Sequence, residues 1–411
     1  MPNRILIIGT GFAGLWSALA AKRLAKLVSK ENELEILVVA PKPSLVVKPR
    51  LYEANSSSMT HSVEPLFKEA GIEFVQGTVE TINVEASSVL VKSASGTEST
   101  LSYDRLILAA GSQVVRPKSI PGINEHTFDI DSFDAAVKLE AHLHSLASLP
   151  ESPARDTVVV CGSGFTGVEI ATELPKRLTN PNTKIVVVES SSQLGPELGP
   201  GPRPIITQAL NELNIEYKLG SPVSAIDADS VTLASGERIP TKTAIWTAGV
   251  RATPLTQQIP APKDPLSRLK VDRYLRVPSF PHILATGDAA HAAVDNEGHY
   301  ALMSCQHAMP LGKASGHNAA AELLGEPLVE YKQEGYNCCV DLGAWGSVVA
   351  SGWDRQVHLT GDVAKRGKQF INQTLIYPPA TLAEALEHAN PVGMSSDQIF
   401  AYVASVVSQV A

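Results

Sequence analysis

Cysteine is scarce: Cys161, Cys305, Cys338 and Cys339 are the only four in 411 residues, and no two stand in C-x-x-C spacing. That excludes a cysteine zinc site and a C-x-x-C redox disulfide, no metal is expected, and the usage fits a reducing, cytoplasmic interior. Basic side chains are outnumbered 34 to 42, for a net charge of −8. The chain therefore lacks the footprint that phosphate-backbone binding needs, and nucleic acid is not an expected partner. No stretch reaches the roughly 18 apolar residues of a membrane-spanning helix. The nearest approach, Ile5 to Ala21, is uncharged and lies between Arg4 and Lys22, as a signal peptide would. It is broken by Gly9-Thr10-Gly11-Phe12-Ala13-Gly14 where a leader's helix should be continuous, which reads instead as a turn between strand and helix.

What is present is a repeat. Ile5-Leu-Ile-Ile-Gly-Thr-Gly-Phe-Ala-Gly14 recurs as Val158-Val-Val-Cys-Gly-Ser-Gly-Phe-Thr-Gly167. Each copy runs into an amphipathic helix, Leu15 to Leu27 or Val168 to Leu178, and then a second β-rich run, Glu35 to Val39 or Lys184 to Glu189. That is a βαβ unit twice over, each opened by G-x-G-x-x-G. Each copy is followed by short β-rich segments and a run ending in small residues, Leu108-Ala109-Ala110-Gly111 and Trp246-Thr247-Ala248-Gly249. Small residues there let backbone pack closely against a ligand or another segment. A further strand leads into Thr286-Gly287-Asp288, an Ala-rich helix is expected from about Ala301 to Leu324, and residues 331–411 read as a small module of short strands and two helices.

A helix N-terminus offers unpaired N–H groups and the positive end of a dipole, and glycines let a pyrophosphate approach the main chain. Two such turns imply two dinucleotides. In such folds the second strand ends in an acid that accepts from the ribose hydroxyls. The second copy has Glu189, followed by Ser190, Ser191 and Ser192 with no Arg before Arg203, so this site should prefer NADH to NADPH. The first copy ends in Ala40 with no acid, leaving Lys42, Lys48 or water for that role.

The order of these motifs resembles the flavoproteins with two dinucleotide-binding domains, most closely the type II NADH dehydrogenases and the apoptosis-inducing-factor-like proteins, over residues 3–325. The resemblance implies an α/β chain with two Rossmann-like domains, the second inserted in the first, and a small C-terminal α+β module. The expected boundaries are an FAD domain at 1–115 and 250–330, an NADH domain at 116–249, and the module at 331–411. By the same resemblance Gly9, Gly11, Phe12, Ala13 and Gly14 hold FAD, with Ala110 and Gly111 beside it, Asp288 on the ribityl and pyrophosphate region and Gly287 adjacent. Val79 would touch the adenine through its backbone, and the segment Lys48 to Tyr52 lies along the flavin. Gly162, Gly164, Gly167, Glu189 and Gly249 would bind NADH. Asp288 also makes sense physically, since a carboxylate in an Ala/Gly setting needs ribitol hydroxyls or helix N–H partners, or else serves as an N-cap.

Flavin and nicotinamide together imply hydride transfer. Disulfide-reducing relatives carry a cysteine pair in the first helix, and this chain has no cysteine before Cys161. The resemblance implies that Glu169, in the first turn of the second helix, handles a proton or hydride; a Glu there also simply complements the dipole. Ser304 to Gly312 resembles the family's quinone segment A-Q-x-A-x-Q, keeping Gln306 and Ala308 with His307 between them and placing Pro310 where the second Gln would be. Near the C-terminus Ile399, Phe400, Val403, Val406, Val407 and Val410 form an apolar stripe without Lys or Arg, better suited to a core or homodimer contact than to an anionic membrane surface. The expected function is an NADH dehydrogenase passing electrons through FAD to a quinone-like acceptor. The competing expectations are a soluble reductase of another acceptor and a redox-responsive interaction protein.

Overall fold

The computed structural model describes residues 2–409, with side chains described as far as residue 406. The chain begins with β1 (Asn3–Ile8), α1 (Phe12–Leu27), β2 (Leu34–Ala40), β3 (Glu73–Gln76) and β4 (Arg105–Leu108). It then lays down a second sheet whole: β5 (Thr127–Phe128), β6 (Thr157–Cys161), α2 (Phe165–Arg177), β7 (Lys184–Val188), β8 (Glu216–Lys218) and β9 (Thr243–Trp246). Only afterwards does it return to the first sheet with β10 (Arg276–Val277), β11 (Phe280–Ala285) and the long α3 (Cys305–Leu324). The sheet orders are β10-β11-β4-β1-β2-β3 and β5-β9-β6-β7-β8.

In both sheets the strand before the glycine turn is central. Ile5 to Ile8 and Val158 to Cys161 are buried on both faces, as near-continuous apolar runs in parallel sheets must be. β1 pairs in parallel with β2 and β4, and β6 with β7 and β9. Each sheet carries a three-stranded antiparallel meander, at 78–102 and 223–240.

The two crossover helices are covered differently. α1 is buried almost all round, from Phe12 to Ala21, because α3 lies against it at backbone contact. A Cβ on Gly312 would overlap Ala13 O, and one on Gly316 would overlap Ser17 O. Ser17 Oγ also donates to Gly312 O at 3.0 Å. α2 is covered by the C-terminal module, made of β12 (Asn337–Asp341), β13 (Ser347–Ser351), β14 (Gln356–Thr360), α4 (Gly361–Phe370), α5 (Leu382–His388) and α6 (Ser396–Gln409). Gly343 seats on Thr172 O, and beyond α2 Trp345 Nε1 donates at 2.8 Å to Glu212, the last residue of the helix Arg203–Glu212.

Two details differ from the sequence reading. α3 starts at Cys305 rather than near Ala301, because Ser304 caps it by accepting from His307 N–H while Ala301 N–H is taken by Ala292 O at 2.9 Å. The module has a third strand, β14, and one helix more than expected. The described part of the apolar stripe, Ile399, Phe400, Val403 and Val406, is half-buried: α6 packs on α4, where a Cβ on Gly367 would lie 3.6 Å from Val403, and Phe400 lies 5.5 Å from the His358 ring of β14. Val410 and the Val407 side chain lie outside the described residues. Among the described residues no helix is long and apolar enough to cross a membrane.

The α1–α3 contact is the tightest place in the first half. Gly316→Ala is expected to cost about 1–3 kcal/mol by overpacking, read as a lowered thermal midpoint, whereas Gly393→Ala, whose Cβ would meet nothing and whose φ is not positive, should shift it far less.

Candidate active site

A continuous cavity of about 3400 Å³ runs between the two sheets and under the C-terminal module. Both glycine turns open into it. Gly9 (φ +111°) and Gly162 (φ +112°) take backbone conformations closed to most side chains. A Cβ on Gly14 would overlap Gly9 O, and one on Gly167 would overlap Gly162 O. These four glycines shape the turns. Gly11 is different: a Cβ there meets no protein atom within 4 Å, so the space over it belongs to the cavity. Neither Gly11 nor Gly164, the N-cap residues of α1 and α2, supplies a side-chain cap, so the helices present free N–H groups where an anion would sit. Gly111 (φ +68°) and Gly249 (φ +100°) are likewise open on the cavity side. This donor set fits two dinucleotide pyrophosphates.

Around the first turn, Phe12, Ala13, Ala110, Gly287 and Asp288 line the cavity. Asp288 sits in a single turn, Gly287–Ala289, followed by a short strand rather than a helix, so it caps no helix. Its Oδ2 accepts from Ser112 Oγ at 2.6 Å, and Oδ1 has no protein donor among the described residues. Burial pushes its carboxyl upward, opposed by Ser112 and Lys48. Lys48 lines the same wall and pairs with Asp131 at 2.9 Å. Lys42 stays outside, near Asp134 and the Phe133 ring. Val79 is buried in its meander and is not part of the cavity wall.

Around the second turn, Glu189 accepts from Ser163 N–H and Oγ with one oxygen, at 2.9 and 2.8 Å, and from Ser190 Oγ and Ser191 N–H with the other. Burial opposes the charge, but these hydrogen bonds hold the carboxyl below its ordinary value. The carboxylate is thus fixed and ionised, and two of its four donors are serine hydroxyls, which can rotate.

Glu169 lies in the first turns of α2, buried and on the cavity wall. Its Oε1 accepts from Lys368 Nζ on α4 at 2.7 Å and from Asp341 N–H at 3.1 Å. Burial pushes the Glu169 carboxyl up, with Lys368 opposing. Burial also works against the Lys368 charge, and Glu169 more than offsets it, holding the ammonium above its ordinary value. A parallel pair joins Asp341 to Lys365, and Tyr52 OH donates to Asp341 Oδ2 at 2.8 Å. Lys368 and Asp341 escaped the sequence reading. One turn of helix separates Lys365 from Lys368, but nothing in a single sequence matches them to acids on other elements.

The α3 segment divides by face. Gln306 lines the cavity, and its amide is held by the β12 backbone: Nε2 donates to Asn337 O at 2.7 Å and Oε1 accepts from Asn337 N–H at 3.1 Å. His307 turns away from the cavity into the core. It is fully buried, with Nδ1 3.1 Å from Ser304 Oγ and its ring stacked 5.2 Å from Tyr336. Burial, with Arg355 and Arg268 nearby, pushes its pKa down to about 3, so it is a neutral core residue and the structure does not bring it to an acceptor.

The two kinds of glycine predict two phenotypes. Gly11→Val should fold, with the circular dichroism of the wild-type apoprotein, yet lose more than about nine-tenths of its bound flavin. Gly14→Val should fail to accumulate as folded protein, because its side chain overlaps the turn itself.

Residues 3–312 match the family model described as pyridine nucleotide-disulphide oxidoreductase. The chain is 40% identical over 399 residues to an NADH dehydrogenase-like protein of Mycobacterium tuberculosis, covering 95% of this chain and 98% of that one. It is 30% identical over 382 residues to the demethylphylloquinone reductase NdbB of Synechocystis, covering 90% and 91%. The structure of NDH2 from Plasmodium falciparum in complex with NADH has the same fold, with a TM-score of 0.73 at 16% identity, covering 95% of this chain and 97% of that one. Two glycine turns on two parallel sheets, facing one cavity, and a family match over most of its length make this chain a member of the pyridine nucleotide-disulphide oxidoreductase family.

Proposed function

We propose that this chain is an FAD-dependent NADH dehydrogenase that delivers electrons to a quinone or quinone-like acceptor. The observation that carries the reading is the single cavity into which both uncapped glycine turns and the Gln306 face of α3 open. The names of the Mycobacterium and Synechocystis relatives support it. FAD bound at the first turn would take hydride from NADH and supply electrons to the acceptor. The α1 N–H groups and Gly11 would hold the FAD pyrophosphate, and Asp288 would accept from its ribityl hydroxyls. The α2 N–H groups hold the NADH pyrophosphate, and Glu189 accepts from the adenosine ribose. Gly111 and Gly249 let ligand approach the backbone. Glu169 and Lys368 hold a proton between Oε1 and Nζ at the wall of the cavity, and the C-terminal module shields that pair from bulk water. The direct test is an anaerobic titration of the flavin spectrum with NADH, followed by a panel of quinones, oxygen and one-electron dyes. Rapid bleaching by NADH and multiple turnovers with quinone are expected. A persistent long-wavelength band without turnover would replace the dehydrogenase with an interaction protein.

Two predictions follow from the geometry. With Glu189 fixed and ionised, a 2′-phosphate meets an unpaired carboxylate, so NADH should exceed NADPH by at least about tenfold in kcat/KM; equal use of both would remove Glu189 from the ribose site. Glu169→Gln should retain its flavin but slow one half-reaction by ~10–100-fold in stopped-flow measurements. Slowed reduction would assign Glu169 to nicotinamide positioning, and slowed reoxidation to the acceptor side. Wild-type rates in both would leave it a structural partner of Lys368.

A further inference from the structure

Along α3, Gln306, Pro310 and Lys313 recur at three- and four-residue spacing, and all three line the cavity. Met309 fills the wall between them. Pro310 has no N–H to offer Gln306 O, which accepts instead from Gln333 Nε2 at 3.3 Å. The stripe is therefore one wall of the cavity, running from the sheet-tethered Gln306 through an apolar stretch to a cation.

Lys313 is half-buried. Its ammonium lies 4.7 Å from the centroid of the Trp16 ring and has no hydrogen bond or ion pair among the described residues. An indole face steadies a cation but accepts none of its three N–H bonds. Trp16 is itself buried, lines the same cavity, and its Nε1 has no acceptor. Burial alone pushes the Lys313 pKa down to about 8. Other lysines against this cavity are matched: Lys48 by Asp131 and Lys368 by Glu169. A part-desolvated ammonium without an anion disfavours an apolar tail beside it and favours a ligand that brings a negative group.

We infer that Lys313 is a specificity-determining residue for the electron acceptor, and that the preferred acceptor is an aromatic quinone bearing an anionic substituent, carboxylate or sulfonate, which the Lys313 ammonium receives above the face of Trp16. This rests on the acceptor reading of the α3 face given above. It separates this chain from an enzyme built for an uncharged, long-tailed quinone, whose tail would have to pass the cation.

The test compares a sulfonated naphthoquinone with menadione, using the flavin-loaded protein. Wild type should favour the sulfonated compound in kcat/KM by about tenfold or more, Lys313→Met should lose at least that preference, and Lys313→Arg should retain most of it. Equilibrium binding of redox-inert naphthalenesulfonate, read by calorimetry, should weaken by a similar factor in Lys313→Met and not in Lys313→Arg. An unchanged preference and unchanged naphthalenesulfonate affinity in Lys313→Met would overturn the inference while leaving quinone reduction standing. Failure of any quinone, charged or neutral, to reoxidise the NADH-reduced flavin would overturn the acceptor reading and this inference together. Loss of bound flavin from Lys313→Met, with the acceptor preference intact, would assign the ammonium to the FAD pyrophosphate instead and likewise overturn it.

Discussion

The buried ion pair between Glu169 and Lys368 is the constraint that ties the C-terminal module to the second dinucleotide helix. It joins the helix behind the second glycine turn to the C-terminal module, and the Asp341–Lys365 pair runs beside it. Tyr52, from the segment next to the first glycine turn, donates to the same Asp341, so three parts of the chain meet at one set of charges. Removing one member of such a pair costs about 3–5 kcal/mol, a large share of the roughly 5–15 kcal/mol that holds a domain folded. The geometry of the cavity roof is thereby tied to the ionisation of its own wall.

The sequence motif occurs twice, yet the two halves solve the same packing problem by different means. α1 is closed by a helix that approaches to backbone contact through Gly312 and Gly316, with the small Ser17 hydroxyl bridging to Gly312 O and, among the described residues, no charged pair between them. α2 is closed by a mixed module that meets it with Gly343 against Thr172 O and Lys368 against Glu169. The first solution gives a rigid, apolar support for one dinucleotide turn. The second leaves charged groups facing the cavity, and the candidate chemistry lies on that side.

How much was legible beforehand follows from the range over which the signals act. Strand, turn and helix around Gly9 and Gly162 are set by local periodicity and by glycine's tolerance of positive φ, so both βαβ units and the pyrophosphate cradles could be read directly. The roles of Gly11 and Gly14 could not be told apart from spacing alone, because one faces ligand space and the other its own turn. Gln306 and His307 are neighbours in sequence but about 100° apart around the helix axis, and only the packing of β12 against α3 decides which of them meets the cavity. Lys368 could not be found at all, since its partner Glu169 lies on an element far earlier in the chain and a single sequence holds no record of that contact.

The order in which the chain builds its sheets also matters before the molecule is finished. α1 emerges from the ribosome almost at once, but the glycine face of α3 that covers it is made only after the entire second sheet. At roughly 5–20 residues per second, the apolar flank of α1 waits on the order of ten seconds or more without its partner. The second sheet, made of consecutive segments, can close on itself during that interval. The apolar flank of α1 thus waits for α3, and α2 waits in turn for the C-terminal module, so neither dinucleotide half is covered until the last part of the chain is made.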